Sequence, residues 1–232
     1  TMILEMTRPV QGGLRQERKL EAVSNNLANV DTTGFKKDFI SFDRQFKAQL
    51  NQDFSQGDIV TTGNPFDVAL ASDGFFKVDT AQGIFYTRTG NFSLNNEGIL
   101  VDMNGNPVMG QGGAILVDLA EAGTETINVN EIGEIFVNGD LVDTLDVVDF
   151  ADRQKIEQKG ENLYAYTGDP REEIPVDAVK INHRALEKSN VQAVYEMVKM
   201  IDYHRMFETF TKSMTTFDEV DGQAINNVGR LT

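Results

Sequence analysis

The chain has 232 residues, of which 40% are hydrophobic and 25% are charged, and its formal net charge is −15. This balance is typical of one large or two smaller globular domains and excludes a wholly disordered polymer. The acidic charge argues against nucleic acid as a partner, because phosphate binding needs a basic surface. Cysteine is absent, which excludes a disulfide framework, a thiolate metal site and a cysteine nucleophile. No apolar run approaches the roughly 18 residues that span a bilayer, so we expect no stable membrane insertion.

The charge is unevenly distributed along the chain. Residues 1–50 carry eight basic and six acidic groups, and residues 183–232 carry six and seven. Residues 51–182 carry seven basic and 23 acidic groups, a net charge of −16. Near-neutral ends suit segments that associate with each other, whereas an acidic middle suits a solvated outer body.

An amphipathic helix is predicted from about Pro9 to Ala28, after a short segment around Met6 and Val10. Its apolar seam recurs at spacings of three and four residues, at Leu20, Val23, Leu27 and Val30. Short amide side chains suited to close packing lie on the same turns, at Asn25, Asn26 and Asn29. Cap- and turn-forming residues then lead to Gly34, which favours the left-handed conformation beyond a helix. The alternative interpretation is an ordinary amide-rich helix end.

Residues 36–66 are predicted to be an extended or partly helical connector with an aromatic face. From Gly57 the hydrophobic period changes to two, and Asn-Gly and Asp-Gly steps separate short apolar runs. We expect strands over 59–62, 66–70, 75–78, 84–88, 92–94, 99–101, 114–119, 126–130, 134–137, 140–150, 163–166 and 179–181. Their number and spacing predict an antiparallel β domain over residues 67–183, a distorted barrel or a sandwich.

The helical period returns after Asn182 and predicts a long helix over about 190–220. Ser189 or Asn190 is the expected N-cap, and Gly222 is expected to interrupt or end the helix. Its apolar stripe comprises Val191, Val194, Val198, Ile201, Phe207, Phe210, Met214 and Phe217. A helix this long and apolar must bury one face, and the N-terminal helix is the matching segment. The sequence therefore predicts an α+β fold in which paired, coiled-coil-like terminal helices (residues 1–35 and 184–232) flank an inserted antiparallel all-β domain.

Candidate chemical sites are sparse, and we expect no catalytic residue, no metal site and no cofactor. His183 and His204 are the only histidines, and each is interpreted as a surface or packing residue. Asp102, Asn104 and Asn106 resemble the start of a calcium loop, but Pro107 stands where that loop needs glycine, so a turn is predicted. Residues 110–113 are glycine-rich but precede a predicted strand rather than a helix, which argues against a phosphate cradle.

Three stretches of the sequence carry a family resemblance. They are Ser24–Lys37, the motif TTGNPFDVA at 61–69 with YTRTGNF at 86–92, and LEKSNV at 186–191 before the long helix. Together they closely resemble the bacterial flagellar rod and hook axial proteins over nearly the whole chain. Within that family, the short length and the tail at 224–230 favour a subunit of the proximal rod. Distal rod and hook subunits are the alternatives.

The resemblance implies a structural role in the flagellar basal body, across the periplasm. It implies that the terminal helices form an inner tube with other rod subunits and with copies of the same chain, and that the β domain faces outward. It also implies unfolded export by the flagellar type III apparatus, which agrees with the absence of cysteine and of a visible secretory signal in residues 1–11. The hypotheses from other classes are a hydrolase using two carboxylates of the acidic β domain, with the helices as an oligomerisation stalk, and a carbohydrate- or protein-binding module.

Overall fold

The computed structural model describes residues 2–42, 48–117, 127–160, 162–176 and 178–228. The chain divides into two compact units. The helical unit comprises Thr1–Val30, Lys37–Asp53 and Val191–Thr232, and the β unit comprises Asp31–Lys36 and Phe54–Asn190. This division splits the predicted 36–66 connector, with 37–53 in the helical unit and 36 and 54–66 in the β unit. Within the described residues, no helix is both long and apolar enough to cross a membrane.

Helix α1 of the helical unit spans Met2–Ala28 and continues through Pro9. The predicted start at Pro9, with a separate segment before it, is therefore wrong. A proline in a helix interior costs about 3 kcal/mol through a lost hydrogen bond and a ring clash. Pro9 is buried, which indicates that packing offsets this cost. The helix ends at Ala28, as the polar cap and turn residues after it predict.

Strands β1 (Lys37–Phe42) and β2 (Ala48–Asp53) form an antiparallel hairpin in which Ile40 pairs with Leu50. The sequence predicted a connector here because phenylalanines recur every three or four residues. That spacing does not follow the pleat, in which alternate side chains lie on opposite faces. Phe39, for example, is exposed, while its neighbour Asp38 is buried. The predicted aromatic position Phe46 lies outside the described residues.

Helix α2 spans Ala193–Val228, 36 residues, or about 54 Å at 1.5 Å per residue. It continues through Gly222, contrary to the predicted stop. The Cβ of an alanine at that position would meet no atom within 4 Å. The predicted caps also differ, because the helix begins after Gln192 and the Asn190 amide donates hydrogen bonds to Ser55 instead. Val191, predicted as the first residue of the apolar stripe, is buried but precedes the helix.

The two helices pack against each other in antiparallel orientation, as three contacts at seven-residue intervals show. A Cβ on Gly12 would lie 2.5 Å from the Phe210 ring, so glycine allows that ring to approach α1. Lys19 Nζ lies 5.2 Å from the centre of the Tyr203 ring. One further heptad along α1, the Asn26 amide lies 3.4 Å from Glu196. The two terminal helices thus pack against each other, and the predicted α+β fold, with N- and C-terminal helices and a central β-rich region of the chain, is confirmed.

The β unit contains seventeen strands among the described residues, all paired antiparallel. In chain order they are β3 (Ile59–Thr61), β4 (Val68–Leu70), β5 (Phe75–Thr80), β6 (Gly83–Thr87), β7 (Ser93–Leu94), β8 (Leu100–Val101), β9 (Met109–Gly110), β10 (Gly113–Ala114), β11 (Ile127–Val129), β12 (Glu134–Val137), β13 (Asp140–Thr144), β14 (Val147–Phe150), β15 (Ile156–Gly160), β16 (Leu163–Tyr166), β17 (Glu173–Pro175), β18 (Ile181–His183) and β19 (Ala185–Glu187).

The largest sheet has six strands in the order β15-β16-β6-β5-β14-β17, beside a three-stranded β11-β12-β13 sheet and smaller pairs. It separates two apolar cores. Phe76 and Val147 belong to a larger, mainly aliphatic core, whereas their neighbours Phe75 and Val148 belong to a smaller, mainly aromatic core with Tyr164. Successive side chains of a strand lie on opposite faces, so this sheet buries both faces.

The predicted strands differ from the observed ones in three places. The predicted strand over 140–150 is two strands, because the chain breaks at buried Leu145, which bridges to Gly110. Within the predicted strand over 114–119, only Ala114 lies in a strand, and residues 118–119 are outside the described residues. Strands β1, β2, β9, β15, β17 and β19 were not predicted.

Candidate assembly surface and its buried polar clusters

The amide-rich end of α1 forms a hydrogen-bonded joint with strand β1. Asn26 is 1% exposed, and its side-chain amide donates to the Asp38 carbonyl oxygen at 2.7 Å. Its side-chain oxygen accepts from the Asp38 backbone N–H, also at 2.7 Å. A primary amide satisfies both backbone groups of one residue because it carries a donor and an acceptor side by side. Asn26 therefore extends the hydrogen bonding of β1 onto the helix.

The Asp38 carboxylate lies within the same joint and is also buried. The Asn25 amide donates to Asp38 Oδ2 at 2.7 Å. Burial raises the pKa of Asp38 above its usual value, and hydrogen bonds from Asn25 and Gln52 offset only part of that effect. Asn29 supports the arrangement by donating to the Asn25 backbone carbonyl at 2.9 Å. The amides that the sequence predicts to pack closely therefore form hydrogen bonds with Asp38 and with each other.

Glu196 of α2 is fully buried and faces two cations. Its Oε1 lies 3.1 Å from Lys37 Nζ and 3.3 Å from Lys199 Nζ, and its Oε2 faces the Asn26 amide. Both lysines also lie over the Tyr195 ring, at 5.5 Å and 4.3 Å from its centre. A buried carboxylate is tolerated only when it is paired and hydrogen-bonded. Glu196 therefore ties α2 to both α1 and β1.

The side of α2 opposite this joint carries exposed apolar side chains. Val194, Val198 and Ile201 lie about 140–200° around the helix axis from Glu196, at roughly 100° per residue. They are 77%, 52% and 53% exposed, respectively, and Met197 beside them is also exposed. We call these four residues the α2 outer patch. Scattered single apolar residues are normal at a surface, whereas these four lie close together on one side of α2.

The predicted interface residues separate into three groups in the structure. Three are buried within the folded chain: Val23, Asn26 and Val191. Seven are partly buried: Leu20, Leu27, Asn29, Val30, Phe207, Phe210 and Met214. Five are exposed: Asn25, Val194, Val198, Ile201 and Phe217. The buried and partly buried residues pack within the folded chain, and Asn25 bonds to Asp38, whereas Val194, Val198, Ile201 and Phe217 expose apolar surface.

A second buried cluster lies in the β unit and was not predicted. Glu187 Oε1 lies 2.7 Å from Lys36 Nζ, and Glu187 Oε2 lies 2.7 Å from Arg88 Nε. All three side chains are buried. Backbone groups complete the cluster, since Gly57 N–H donates to Glu187 Oε1 at 2.8 Å and Lys36 Nζ donates to the Ser55 carbonyl at 2.7 Å. We call Lys36, Arg88 and Glu187 the buried triad.

The buried triad unites the three stretches that carry the family resemblance. Lys36 belongs to Ser24–Lys37, Arg88 to the motif at 86–92, and Glu187 to the stretch at 186–191. Each motif contains one charged member of the triad. Its burial could not be predicted from the sequence, because lysine, arginine and glutamate are most often solvated. The motif that contains Arg88 also includes a close approach between two backbone segments, those of Gly90 and Val68. A Cβ on Gly90 would lie 1.6 Å from the Val68 carbonyl oxygen.

The structure also shows the surroundings of the remaining sequence candidates. His183 Nε2 lies 2.8 Å from the Pro65 carbonyl oxygen, and His204 lies on the surface of α2. The Asp102 carboxylate accepts hydrogen bonds from the backbone N–H groups of Asn104 and Asn106, each at 2.8 Å. That geometry confirms the predicted turn. Among the described residues, no group of three or more His, Asp or Glu side chains is arranged to hold a metal ion.

Two carboxyls of the acidic β unit have pKa values below the usual range. Burial alone would raise the pKa of Asp149, but hydrogen bonding and charge from Arg153 lower it. Hydrogen bonds from Lys155 and Tyr166 lower the pKa of Glu172. A hydrolase of the two-carboxylate type needs a carboxyl whose pKa is raised so that it can donate a proton. These two groups have the opposite property.

Comparison with known proteins assigns the chain to a family. The profile of the flagella basal body rod protein matches residues 12–36. That of the flagellar hook protein FlgE/F/G D1 domain matches residues 69–137, and that of the flagellar basal body rod FlgEFG protein C-terminal region matches residues 183–227. The chain is 33% identical to the flagellar basal-body rod protein FlgF of Caulobacter vibrioides, over 92% of this chain and 93% of that protein. The chain belongs to the flagellar basal-body rod protein family.

Other members of the rod family match over similar lengths. The flagellar basal-body rod protein FlgF of Salmonella typhimurium is 30% identical, with 92% of this chain and 94% of that protein covered. The flagellar basal-body rod protein FlgG of Bacillus subtilis is 28% identical, with 97% and 99% covered. The chain is therefore a structural subunit of the flagellar basal-body rod, and membership implies assembly with other rod components. Each of the three matched segments contributes one member of the buried triad.

Proposed function

We propose that this rod subunit assembles through its terminal helices, as a coiled-coil-like pair completed by neighbouring subunits, and that the assembled rod transmits torque. The α2 outer patch is the observation that carries this proposal. Val194 and Ile201 expose apolar surface that α1 does not cover, and removing such surface from water contributes roughly 25 cal/mol per Å². The heptad spacing of the contacts between α1 and α2 supports the coiled-coil-like description.

A double substitution tests the role of the α2 outer patch. Val198→Glu with Ile201→Glu places two charges on the patch, and we expect rod incorporation and motility to be lost. The folded chain should be unaffected, because both side chains are about half exposed. Leu141→Glu is the matched control, since Leu141 is an equally exposed apolar residue of strand β13. Normal rods containing the double variant would overturn the proposal.

The free subunit should differ in stability between its two units. An isolated pair of helices with an uncovered apolar face is marginal, whereas the β unit has two buried cores. We expect amide hydrogens of α1 and α2 to exchange faster than those of β5 and β14 in dilute solution. Assembly should slow exchange in the helices. Equal protection of helices and strands in the free chain would count against assembly-dependent helix stability.

We further propose that the subunit occupies the proximal rod. The chain has 232 residues, and its alignments with FlgF relatives extend over 225–237 positions, against 243–265 for FlgG relatives. The alignments with FlgF relatives thus need fewer inserted positions than those with FlgG relatives, and the short β region argues against a hook subunit. Cryo-electron microscopy of intact basal bodies, with the subunit density identified from side chains, tests the position. Density in the distal rod or hook would refute it.

Export by the flagellar type III apparatus, unfolded, is proposed as the route to the basal body across the periplasm. The absence of cysteine supports the route, because no disulfide can lock the chain before passage. The test is the amount of subunit outside the cytoplasm in cells with and without an active export apparatus. Equal amounts in both strains would contradict this route.

A further inference from the structure

A groove lies between α1 and the β1–β2 hairpin within the helical unit. Its volume is about 460 Å³, and its lining combines the apolar residues Ala22, Ile40, Ala48 and Leu50 with the polar residues Asn25 and Asp38. Leu50 is 62% exposed, so the groove is open at the hairpin end. The groove therefore has an apolar wall and an opening at which an apolar side chain of another molecule can dock.

The rim of this groove carries an ordered pair of opposite charges. Arg18 and Glu21 line it from α1, three residues apart. Arg18 NH1 and Glu21 Oε2 lie 3.0 Å apart, and both side chains are largely exposed. An ion pair this exposed contributes little to stability. Both charges are therefore accessible to groups on another molecule.

Two oppositely charged residues follow the α2 outer patch along the helix, with the same three-residue spacing as Arg18 and Glu21. Arg205 lies one turn beyond Ile201 on the same side of α2, and Glu208 lies three residues further on. Both are exposed. Arg205 makes no ion pair within the described part of the chain, and Glu208 has His204 at 3.5 Å. The order of charges along α2, basic and then acidic, is the same as the order along the groove rim. The two pairs are therefore complementary only when the two helices run in opposite directions.

The order of the charges selects the orientation of the two helices. In a parallel arrangement Arg18 would face Arg205 and Glu21 would face Glu208, and like charges at an interface are unfavourable. In an antiparallel arrangement Glu21 faces Arg205 and Arg18 faces Glu208. The same register brings Ile201 beside Asn25, at the mouth of the groove.

We propose that Ile201, at the end of the α2 outer patch, and the charged turns after it in a second copy of this chain dock against the groove between α1 and the hairpin, with α2 antiparallel to α1. Glu21 then pairs with Arg205 of the second copy, and Arg18 pairs with Glu208 of the second copy. This inference rests on the proposed function, because it specifies which surface receives the exposed helix face during rod assembly.

Disulfide crosslinking in assembled rods tests the contact, since the natural chain has no cysteine. The full-length variant E21C/R205C should form covalent multimers of this chain on mild oxidation. Position 212 lies seven residues from 205, about 10.5 Å along α2 at 1.5 Å per residue, so E21C/K212C should not. Rods that incorporate E21C/R205C without crosslinking would overturn the inference and leave the proposed function standing. Crosslinks only to a different rod protein would overturn the choice of a second copy.

Charge reversal supplies an independent measurement of self-association by the purified full-length chain. E21R and R205E should each weaken association by at least about tenfold, because each puts like charges in contact. The double variant E21R/R205E should restore association, with the pair reversed. K212E is the control for altered net charge and should leave association unchanged. Additive losses in the double variant would refute the pairing, whereas an assembly-competent V198E/I201E variant would refute the proposed function itself.

Discussion

Lys36 Nζ and Glu187 Oε1 lie 2.7 Å apart, although 151 residues separate them in the chain and each side chain is only 1% exposed. Arg88 supplies the second cation to the same carboxylate. The pair joins the segment just after α1 to strand β19 within the β unit. A single carboxylate therefore pairs with two buried cations contributed by distant parts of the sequence.

Replacing Glu187 by glutamine should destabilise the β unit by about 3–5 kcal/mol. Glutamine keeps the size and can still accept from Gly57, but it leaves two buried cations without a counter-charge. Urea unfolding with peptide-resolved hydrogen exchange over β3 and β19 measures the loss.

Glu157→Gln is the control for this substitution, because Glu157 pairs with Lys159 at the surface. An exposed pair should contribute less than about 1 kcal/mol. Equal unfolding free energies for the two variants would show that burial of the triad carries no energetic consequence.

Gly90→Ala should destabilise the β unit by about 3 kcal/mol, the upper end of overpacking costs. Its Cβ would lie 1.6 Å from the Val68 carbonyl oxygen, and Val68 N–H also donates to the Gly90 carbonyl at 2.9 Å. The two backbones must separate, so β4 should lose protection first. Thermal unfolding compares this variant with Gly222→Ala, which meets open space in α2 and should stabilise that helix by about 1 kcal/mol. Similar midpoints for both variants would contradict the close-approach argument.

Local signals in the sequence predicted the helices and most hairpins because their causes are local. The turn between β12 and β13 is an example: Asn138 and Gly139 have φ angles of 55° and 98°, the positive values that an Asn-Gly turn requires. Strand β15 escaped prediction because its sequence, IEQKG, has no alternation of apolar and polar residues. Its partner β16 holds it in the sheet, which is a tertiary effect.

The polar clusters could be predicted only in part, for a different physical reason. The amides at 25, 26 and 29 suggested close packing, but their partner Asp38 lies on a strand that the sequence did not predict. The buried triad depends on pairing across the whole β unit, and an isolated charged residue in a sequence does not reveal whether it is solvated. The α2 outer patch was predicted as part of a larger interface, since periodicity does not distinguish the face covered within the chain from the face left exposed.

Asn26→Asp should destabilise the helical unit by about 3 kcal/mol. The substitution removes the donor to the Asp38 carbonyl and places a carboxylate near Glu196 Oε2, which lies 3.4 Å from the present amide. Hydrogen exchange should rise in β1 and in the first turns of α2. Ser24→Asp adds the same charge at an exposed position of α1, and a surface change should stay within about 0.5 kcal/mol. A comparable loss in both variants would indicate a general charge effect rather than a broken joint.

Asp38→Asn should stabilise the helical unit at neutral pH, and this advantage should disappear in acid. The pKa of Asp38 is raised in the folded chain, chiefly by burial, so the folded state binds its proton more tightly than the unfolded state does. Stability from this group is therefore greatest below its unfolded pKa and falls as the pH rises through the folded pKa. Asparagine carries no charge to desolvate and can still accept from Asn25.

The decisive measurement is the difference in unfolding free energy between D38N and the natural chain, followed by hydrogen exchange in α1 and β1 from neutral to acidic pH. Taking the difference cancels the titration of groups common to both proteins. It should be positive at neutral pH and approach a constant, smaller value below the unfolded pKa, where Asp38 is protonated in both states. A difference that grew on acidification would mean that the charged form of Asp38 stabilises the joint, and the burial argument would fail. Asp53→Asn, at the end of β2, is the matched control for loss of one carboxylate from the same hairpin.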